Sequence, residues 1–250
     1  MGSSLGMFLV IEDRFSELPC VERVWRAHNE RAGEFLSFAA ASCELVVSRY
    51  RDQTFLTVRG PETRMTTTDC PAEGEWVGIR FKLGTFLPQF PPTLLSDRRD
   101  VTLPDASMRS FWLNGSAWEY PTFENADTFV ARLLANGIVV RDRTVEGIVC
   151  GELGAVSLRS AQRHFLRATG ITHAAFRTIE RARYATNLLR EGASIADVVY
   201  LAGYFDQPHL TRSLKYLIGQ TPTEIARGTR QLSLLYKTAL PPCRDNVSGG

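Results

Sequence analysis

The sequence predicts an α+β multidomain protein, with a β-rich barrel or sandwich first and an all-α domain after it. The chain has 250 residues, more than one small hydrophobic core usually requires. Short apolar runs separated by turn residues fill residues 8–120, whereas Ala, Leu, Arg and Glu dominate residues 121–237. Residues 238–250, with two adjacent prolines and two final glycines, are predicted to be a flexible tail.

The β-rich region is predicted from runs in which Val, Thr and aromatic residues are frequent, as is typical of strands. The period of two is clear in residues 76–82, where Val77, Ile79 and Phe81 lie on one face of the predicted strand. Turn residues such as Gly60-Pro61 separate the runs. The predicted strands include Cys43–Tyr50, Thr54–Arg59, Trp76–Lys82 and Ser110–Leu113.

Two interpretations stay open for the aromatic residues of this region. They can line a pocket for a small-molecule effector or fill an ordinary core, and the residues concerned are Trp76, Phe81, Phe86 and Phe90. Arg80 lies on the polar side of its strand, where it can meet an anionic effector or face water. The effector-binding residues therefore remain unassigned.

Beyond residue 121 the apolar residues recur with the helical period of about 3.6. The predicted helices include Asn125–Asn136, Thr172–Arg190, Ser194–Ala202 and Pro222–Arg227. Gly192 stops the longest of them, which at about 1.5 Å per residue spans about 28 Å.

The charges of the two regions differ in sign. Residues 1–140 hold 14 Lys and Arg against 18 Asp and Glu, a net charge of −4. Residues 141–237 hold 14 against 8, a net charge of +6, and 26 of the chain's 29 basic residues are arginine. A basic, arginine-rich region favours a polyanionic partner. A GC-rich genome also raises the arginine content of a protein, so the number of arginines alone does not establish a polyanionic partner.

The composition excludes several classes of protein. With 44% hydrophobic and 22% charged residues the chain is not of the disordered type. No apolar run approaches the roughly 18 residues of a membrane span, and the first residues lack the pattern of a secretory signal. Five scattered cysteines without a CxxC pair suit reduced thiols in the cytoplasm, and four histidines show no metal-ligand spacing. We therefore expect no metal and no cofactor.

The C-terminal third repeats itself at an offset of 49 residues. Residues 157–170 (SLRSAQRHFLRATG) align with residues 206–219 (DQPHLTRSLKYLIG), and Arg163 aligns with Arg212. Each copy opens on an N-cap type of residue and closes on a glycine that can end a helix. Each follows a short helix and a tight turn, Val145–Leu153 with Gly154 and Ile195–Ala202 with Gly203. The repeat predicts two helix-turn-helix units in series.

The second helix of each unit is amphipathic at 100° per residue. The apolar faces comprise Leu158, Ala161, Phe165 and Ala168 in the first and Leu210, Leu214, Leu217 and Ile218 in the second. The outer faces comprise Arg159, Ser160, Arg163 and Arg167 in the first and Pro208, His209, Arg212, Lys215 and Tyr216 in the second. One such face alone is more often a solvated basic surface. The duplication favours DNA binding, because both copies place an arginine at the same outward position.

The sequence of the two predicted helix-turn-helix units resembles that of a known protein family. Leu201–Arg227 (LAGYFDQPHLTRSLKYLIGQTPTEIAR) closely resembles the second helix-turn-helix signature of the AraC/XylS family of bacterial transcription regulators. Residues 157–170 resemble the first recognition helix of that family, and the resemblance covers about residues 122–230. The chain departs from the pattern at Ala155, where the family usually has glycine. Residues 8–120 resemble, more weakly, the β-barrel sensing domains of the same family.

The resemblance implies a sequence-specific regulator of transcription whose two recognition helices, joined by one long helix, enter successive major grooves of double-stranded DNA. The residues expected to read bases are Arg159, Gln162 and Arg163 in one groove and Gln207, His209, Thr211 and Arg212 in the next. Those expected to hold phosphates are Arg167, Lys215 and Tyr216. A small-molecule effector, a second copy of the chain and RNA polymerase are further candidate partners, and the expected location is the cytoplasm, on the nucleoid.

Two other classes of function are weighed against this one. An adaptor would use the same basic faces to bind a protein. An enzyme would need catalytic groups in the barrel, yet the sequence has no HxH pair, GxSxG elbow or phosphate-binding loop. Cys43 or Cys70 could be a nucleophile, but a structural thiol is more common when no histidine is near in the sequence.

Overall fold

The computed structural model describes residues 9–97, 101–152 and 157–228. The strands are β1 Val10–Arg14, β2 Val21–His28, β3 Gly33–Ser37, β4 Glu44–Tyr50, β5 Gln53–Arg59, β6 Thr66–Cys70, β7 Glu75–Phe81, β8 Thr85–Phe86, β9 Val101–Thr102, β10 Asp105–Ser107, β11 Ser110–Leu113, β12 Ser116–Glu119 and β13 Val140–Arg141. The helices are α1 Pro92–Leu95, α2 Ala126–Ala135, α3 Thr144–Cys150, α4 Leu158–Thr169, α5 His173–Arg190, α6 Ile195–Leu201, α7 Gln207–Leu217 and α8 Pro222–Arg227. The predicted turn at Gly154 and Ala155 and the predicted tail, residues 238–250, lie outside the described residues.

A β-rich region precedes a helical region, as predicted. The main sheet of the β-rich region has six antiparallel strands in the order β1-β2-β7-β4-β5-β9. Two-stranded sheets form from β3 with β6 and from β8 with β13, and a three-stranded sheet forms from β10, β11 and β12. Among the described residues, the edge strands β1 and β9 are not paired with each other, so the main sheet is open and the predicted barrel is not confirmed.

Arg80 does not face water, which was one of the two alternatives for this residue. It lies between Arg23 and Glu44 on the neighbouring strands β2 and β4, and only 7% of its surface is exposed. Its Nε lies 3.6 Å from Oε1 of Glu44, and the same carboxylate oxygen accepts a hydrogen bond from the indole of Trp25. The charge of Arg80 is therefore offset within the fold.

The four aromatic residues considered for a pocket pack in different ways. Phe81 is fully buried in the core of the β-rich region, and Phe86 and Phe90 pack against that core. Trp76 is half-buried on β7, with its ring against the backbone of Gly74. At least Phe81 is therefore an ordinary core residue, which supports the second of the two interpretations for it.

Helix α2 shares the core of the β-rich region. Phe129 lies edge-on to Phe111 and Trp118, with ring centroids 6.3 and 6.2 Å apart, and Leu133 is fully buried in the same cluster. Strand β13 then pairs with β8, so the chain remains attached to the β-rich region as far as Arg141.

The helices of the C-terminal region begin where their N-cap side chains predict. In α4 to α8 the side chain at the N-cap accepts a hydrogen bond from a backbone N–H of the first turn, and the capping residues are Ser157, Thr172, Ser194, Asp206 and Thr221. Helix α3 instead ends at Cys150, before the predicted Leu153, because Gly151 adopts a left-handed conformation with φ 79°. No helix in the described part of the chain is long and apolar enough to cross a membrane.

The two regions are in contact through a shared hydrophobic cluster. Phe38 and Ala39, which follow β3, are buried among residues of α4, α5 and α7. Arg183 of α5, 7% exposed, lies with its Nη2 3.6 Å from Oε1 of Glu22 on the other side of the contact. Burial and the neighbouring charges of Arg80 and Arg183 lower the pKa of Arg23. Hence the long helix lies close to the charged face of the main sheet.

Candidate nucleic-acid interface

Helix α4 separates an apolar face from a basic one. Its buried face comprises Ala161, Phe165 and Ala168, whereas Arg159, Gln162, Arg163 and Arg167 are all exposed. Leu158, predicted from its spacing to lie on the apolar face, is the first residue of the helix and is 63% exposed. The first turn has no helical turn before it to pack against, which leaves the side chain of Leu158 in solvent.

Helix α7 repeats the arrangement. Leu210, Leu214 and Leu217 are buried on its inner face, together with Ile218 at the C-cap. The exposed residues of the predicted interface are Gln207, Arg212, Lys215 and Tyr216, whereas His209 and Thr211 are half-buried. The structure thus brings the ten predicted contact residues onto two helices of similar polarity.

Matching positions of the sequence repeat have the same local structure. Gly170 and Gly219 both adopt left-handed conformations, with φ 78° and 79°, where a side chain would be strained. Thr172 and Thr221, two residues further on, both cap the next helix. Arg163 and Arg212 occupy the same position in this pattern.

Arg163 and Arg212 have no ion-pair partner among the described residues. Both side chains are exposed, and each belongs to a helix anchored on its opposite face by a fully buried side chain, Phe165 in α4 and Leu210 in α7. A guanidinium with this exposure can form two parallel hydrogen bonds to the O6 and N7 atoms of a guanine.

Lys215 differs from these arginines because it already has a partner. Its Nζ lies 3.1 Å from Oε2 of Glu224 on α8. The same carboxylate accepts the backbone N–H of Thr221 in a capping box, and these hydrogen bonds lower the pKa of Glu224 to about 2. A phosphate that binds Lys215 must therefore compete with a carboxylate.

His209 is held at the start of α7. Its ring lies edge-on to Tyr204, with ring centroids 5.1 Å apart, and its Nδ1 accepts the backbone N–H of Phe205 over 3.4 Å. Because Nδ1 is the acceptor, the proton of the neutral ring lies on Nε2. His209 can therefore offer one N–H donor to a base or phosphate.

Helix α5 lies between α4 and α7 along the chain. Its 18 residues span about 27 Å, and its buried side chains include Ile179, Ala182 and Leu189. It packs against α4, α6, α7 and α8. Helix α5 therefore contacts both α4 and α7 and is part of the structure that separates them.

Two features beside these helices were not predicted from the sequence. Phe205, in the turn before α7, is 90% exposed, the highest value among the large apolar residues described. Gly170 at the end of α4 lies against Pro92 of α1, where an added Cβ would stand 2.5 Å from the carbonyl oxygen of Pro92. The apolar residue at position 205, between a predicted turn and a predicted N-cap, could have indicated the exposed ring. No neighbouring residue in the sequence indicated the contact between Gly170 and Pro92.

Comparisons with known proteins agree with this geometry. Residues 152–228 match a family described as "Helix-turn-helix domain". Over 77 residues the chain is 35% identical to the HTH-type transcriptional regulator RipA of Corynebacterium glutamicum. This alignment covers 31% of this chain and 23% of the relative. The match therefore spans about a quarter of the length of that curated relative. No solved structure matches the chain.

The matched segment is a helix-turn-helix domain. Within that class it is of the AraC type, in agreement with the resemblance carried by Leu201–Arg227.

Proposed function

We propose that this protein is a sequence-specific DNA-binding regulator of transcription, in which α4 and α7 enter successive major grooves. The observation that carries the proposal is the structural repeat, which places the unpaired, exposed guanidinium groups of Arg163 and Arg212 at equivalent positions of two capped helices. The name of the relative, an HTH-type transcriptional regulator, supports the same function for the matched segment.

The roles of the side chains follow from their places on the helices. Residues nearer the N-terminus of each helix read base edges: Arg159, Gln162 and Arg163 from α4, and Gln207, His209, Thr211 and Arg212 from α7. Residues further along the outer faces hold phosphate oxygens: Arg167, Lys215 and Tyr216. The N-termini of α4 and α7 add backbone N–H donors.

Helix α5 sets the distance between the two contacts. Its length of about 27 Å is comparable with the roughly 34 Å of one turn of DNA. Two unlike reading helices on one such spacer suit a non-palindromic site that presents two groove segments on one side of the duplex.

The β-rich region is the proposed regulatory part. Its contact with the helical region through Phe38, Ala39 and Arg183 supports control of the reading helices by a small effector or by a second copy of the chain. The domain division proposed from sequence is 8–120 and 121–237. The packing of α2 and the pairing of β13 with β8 support a boundary near residue 142.

An adaptor function and catalysis are the alternatives. The thiol of Cys43 suits a nucleophile poorly, because burial raises its pKa to about 12. An adaptor that binds its partner mainly through apolar contacts would show little dependence on salt, whereas DNA binding weakens steeply with salt as phosphates are neutralised.

The test is a binding titration of the full chain on random-sequence duplex DNA, followed by selection of bound sequences. The proposal expects a preferred sequence, bound at least about a thousandfold more tightly than a scrambled duplex, and a log–log salt slope that is clearly negative. Binding without sequence preference, or no binding to any duplex, would contradict it.

A further inference from the structure

Phe205 is the most exposed large apolar side chain described, and its neighbours fix it outward. Tyr204, directly before it, is buried, with its hydroxyl 3.1 Å from Oγ of Ser213 and with the guanidinium of Arg181 over its ring. Asp206, directly after it, is the N-cap of α7. The backbone on both sides of Phe205 is therefore anchored, while the ring itself is 90% exposed.

His209 adds a third constraint, since its Nδ1 accepts the backbone N–H of Phe205. The turn thus holds Phe205 directly before the N-cap of α7. In helix-turn-helix proteins the N-terminal residues of the recognition helix contact base edges. A fully exposed phenyl ring has no hydrogen-bonding group, so its free energy falls only when apolar surface covers it.

We infer that Phe205 is a further specificity-determining residue, and that it packs against the C5-methyl group of a thymine in the groove segment read by α7. The methyl group of thymine is the apolar feature of the major-groove edge, and apolar side chains contact it there. This inference rests on the proposed function, and it adds an apolar contact to the polar contacts proposed for α7.

A protein partner is the competing occupant of this position. Tyr200 and Leu201 of α6 are also exposed, at 85% and 49%. The place of Phe205 favours DNA, because this residue directly precedes the N-cap of α7, at the end of the helix that is proposed to read base edges. Contact of Phe205 with RNA polymerase is one of the outcomes that the test distinguishes.

The test uses the full chain and a duplex obtained by selection from a random library. Each thymine of the selected site is replaced singly by deoxyuridine, which removes the C5-methyl group and nothing else. For the wild-type protein we expect one thymine in the α7 segment whose replacement weakens binding about fourfold, the value of one buried methyl group. The variant Phe205→Ala should bind the thymine and uracil duplexes equally, whereas Phe205→Leu should keep part of the preference.

The matched control is Met108→Ala, which removes an apolar side chain that is 86% exposed in the β-rich region. It should leave both affinities unchanged, and thermal unfolding should show that Phe205→Ala folds, since the ring packs on little else. Phe205→Ala retaining the full preference for thymine would overturn the inference, as would a selected site with no thymine in the α7 segment.

Two further outcomes separate the alternatives. If Phe205→Ala binds as the wild type does but loses activation with purified polymerase, Phe205 faces a protein and the inference is overturned. If the wild-type chain selects no sequence at all, the proposed function itself fails, which is distinct from a selected site that lacks any sensitivity to uracil.

Discussion

The backbone N–H of Ala39 donates a hydrogen bond to the carbonyl oxygen of Leu217, the last residue of α7, over 3.0 Å. The carbonyls of a final helical turn have no partner within their own helix. The backbone N–H of Met65 likewise donates a hydrogen bond to the carbonyl oxygen of Tyr216 over 3.1 Å. The β-rich region therefore completes the end of α7, so a displacement of the segment after β3 alters the surroundings of a proposed reading helix.

The contact at the end of α4 predicts an unequal response to two glycine substitutions. Gly170→Ala places a Cβ 2.5 Å from the backbone oxygen of Pro92, which cannot move as a flexible side chain can, and it also strains a φ of 78°. Gly203→Ala strains a φ of 67° in open space. Urea unfolding should show a loss of about 1–2 kcal/mol for Gly203→Ala and about 1–3 kcal/mol more for Gly170→Ala.

The same pair of variants tests whether the contact matters for DNA. Gly170→Ala should weaken binding to the selected duplex more than Gly203→Ala does, because it displaces α4 from the β-rich region. Equal losses of stability would show that the segment around Pro92 yields freely, and the domain contact would then not fix the position of α4.

The two equivalent arginines should behave alike and differ from Lys215. Arg163→Ala and Arg212→Ala should each cost about 1–3 kcal/mol on the selected duplex and relax the preference at one base pair. Lys215→Ala should weaken binding to selected and scrambled duplexes alike and lower the salt slope by about one. Titrations at several salt concentrations measure both effects. Equal losses on both duplexes for Arg212→Ala would make that arginine a phosphate contact.

The ion pair between Lys215 and Glu224 predicts a gain of function. Glu224→Gln keeps the hydrogen-bonding groups of the capping box but releases Lys215, so binding to both selected and scrambled duplexes should tighten. The control Glu191→Gln changes the net charge equally at an exposed residue that follows α5. If the gain persists in a chain that also carries Lys215→Ala, the release of Lys215 is not its cause.

His173 predicts a dependence of stability on pH. Its ring lies 5.2 Å from that of Phe165 and 6.2 Å from that of Phe176, and burial, with Arg177 adding to it, lowers the pKa of His173 below the usual 6.5. The unfolded chain then binds the proton more readily than the folded chain does. The free energy of unfolding should therefore fall as the pH drops below about 6.5 and become constant below the pKa of the folded state.

The variant His173→Gln should lose that part of the pH dependence, as measured by urea unfolding between pH 5 and pH 7.5. His28→Gln changes an exposed histidine and serves as the control. An identical pH profile for wild type and His173→Gln would show that protonation of His173 does not affect folding.

The features that could be predicted from the sequence are those fixed by neighbouring residues. Helices α5 to α8 begin within one residue of the prediction, because the caps at Ser194 and Asp206 and the glycines after the helices act locally. The two amphipathic faces follow equally from spacing, with Leu158 as the exception at a helix end. The early end of α3 escaped prediction because Gly151 competes with an apolar pattern that continues beyond it.

Contacts between distant segments could not be predicted in this way. The burial of Arg80 depends on its pairing with Glu44 across the sheet, which requires the strand order. The assignment of α2 to the β-rich core depends on the aromatic side chains of β11 and β12. The hydrogen bond from Ala39 to Leu217 joins backbone groups, and backbone groups are the same for every sequence.

Hydroxyl-radical footprinting of the full chain on its selected duplex tests the central claim most directly. The account predicts two protected segments about one turn of DNA apart on one side of the duplex, each with its own sequence, contacted by one chain. Arg163→Ala should weaken protection of one segment and Arg212→Ala that of the other. A single protected segment, or the same segment affected by both substitutions, would contradict the assignment of α4 and α7 to successive grooves.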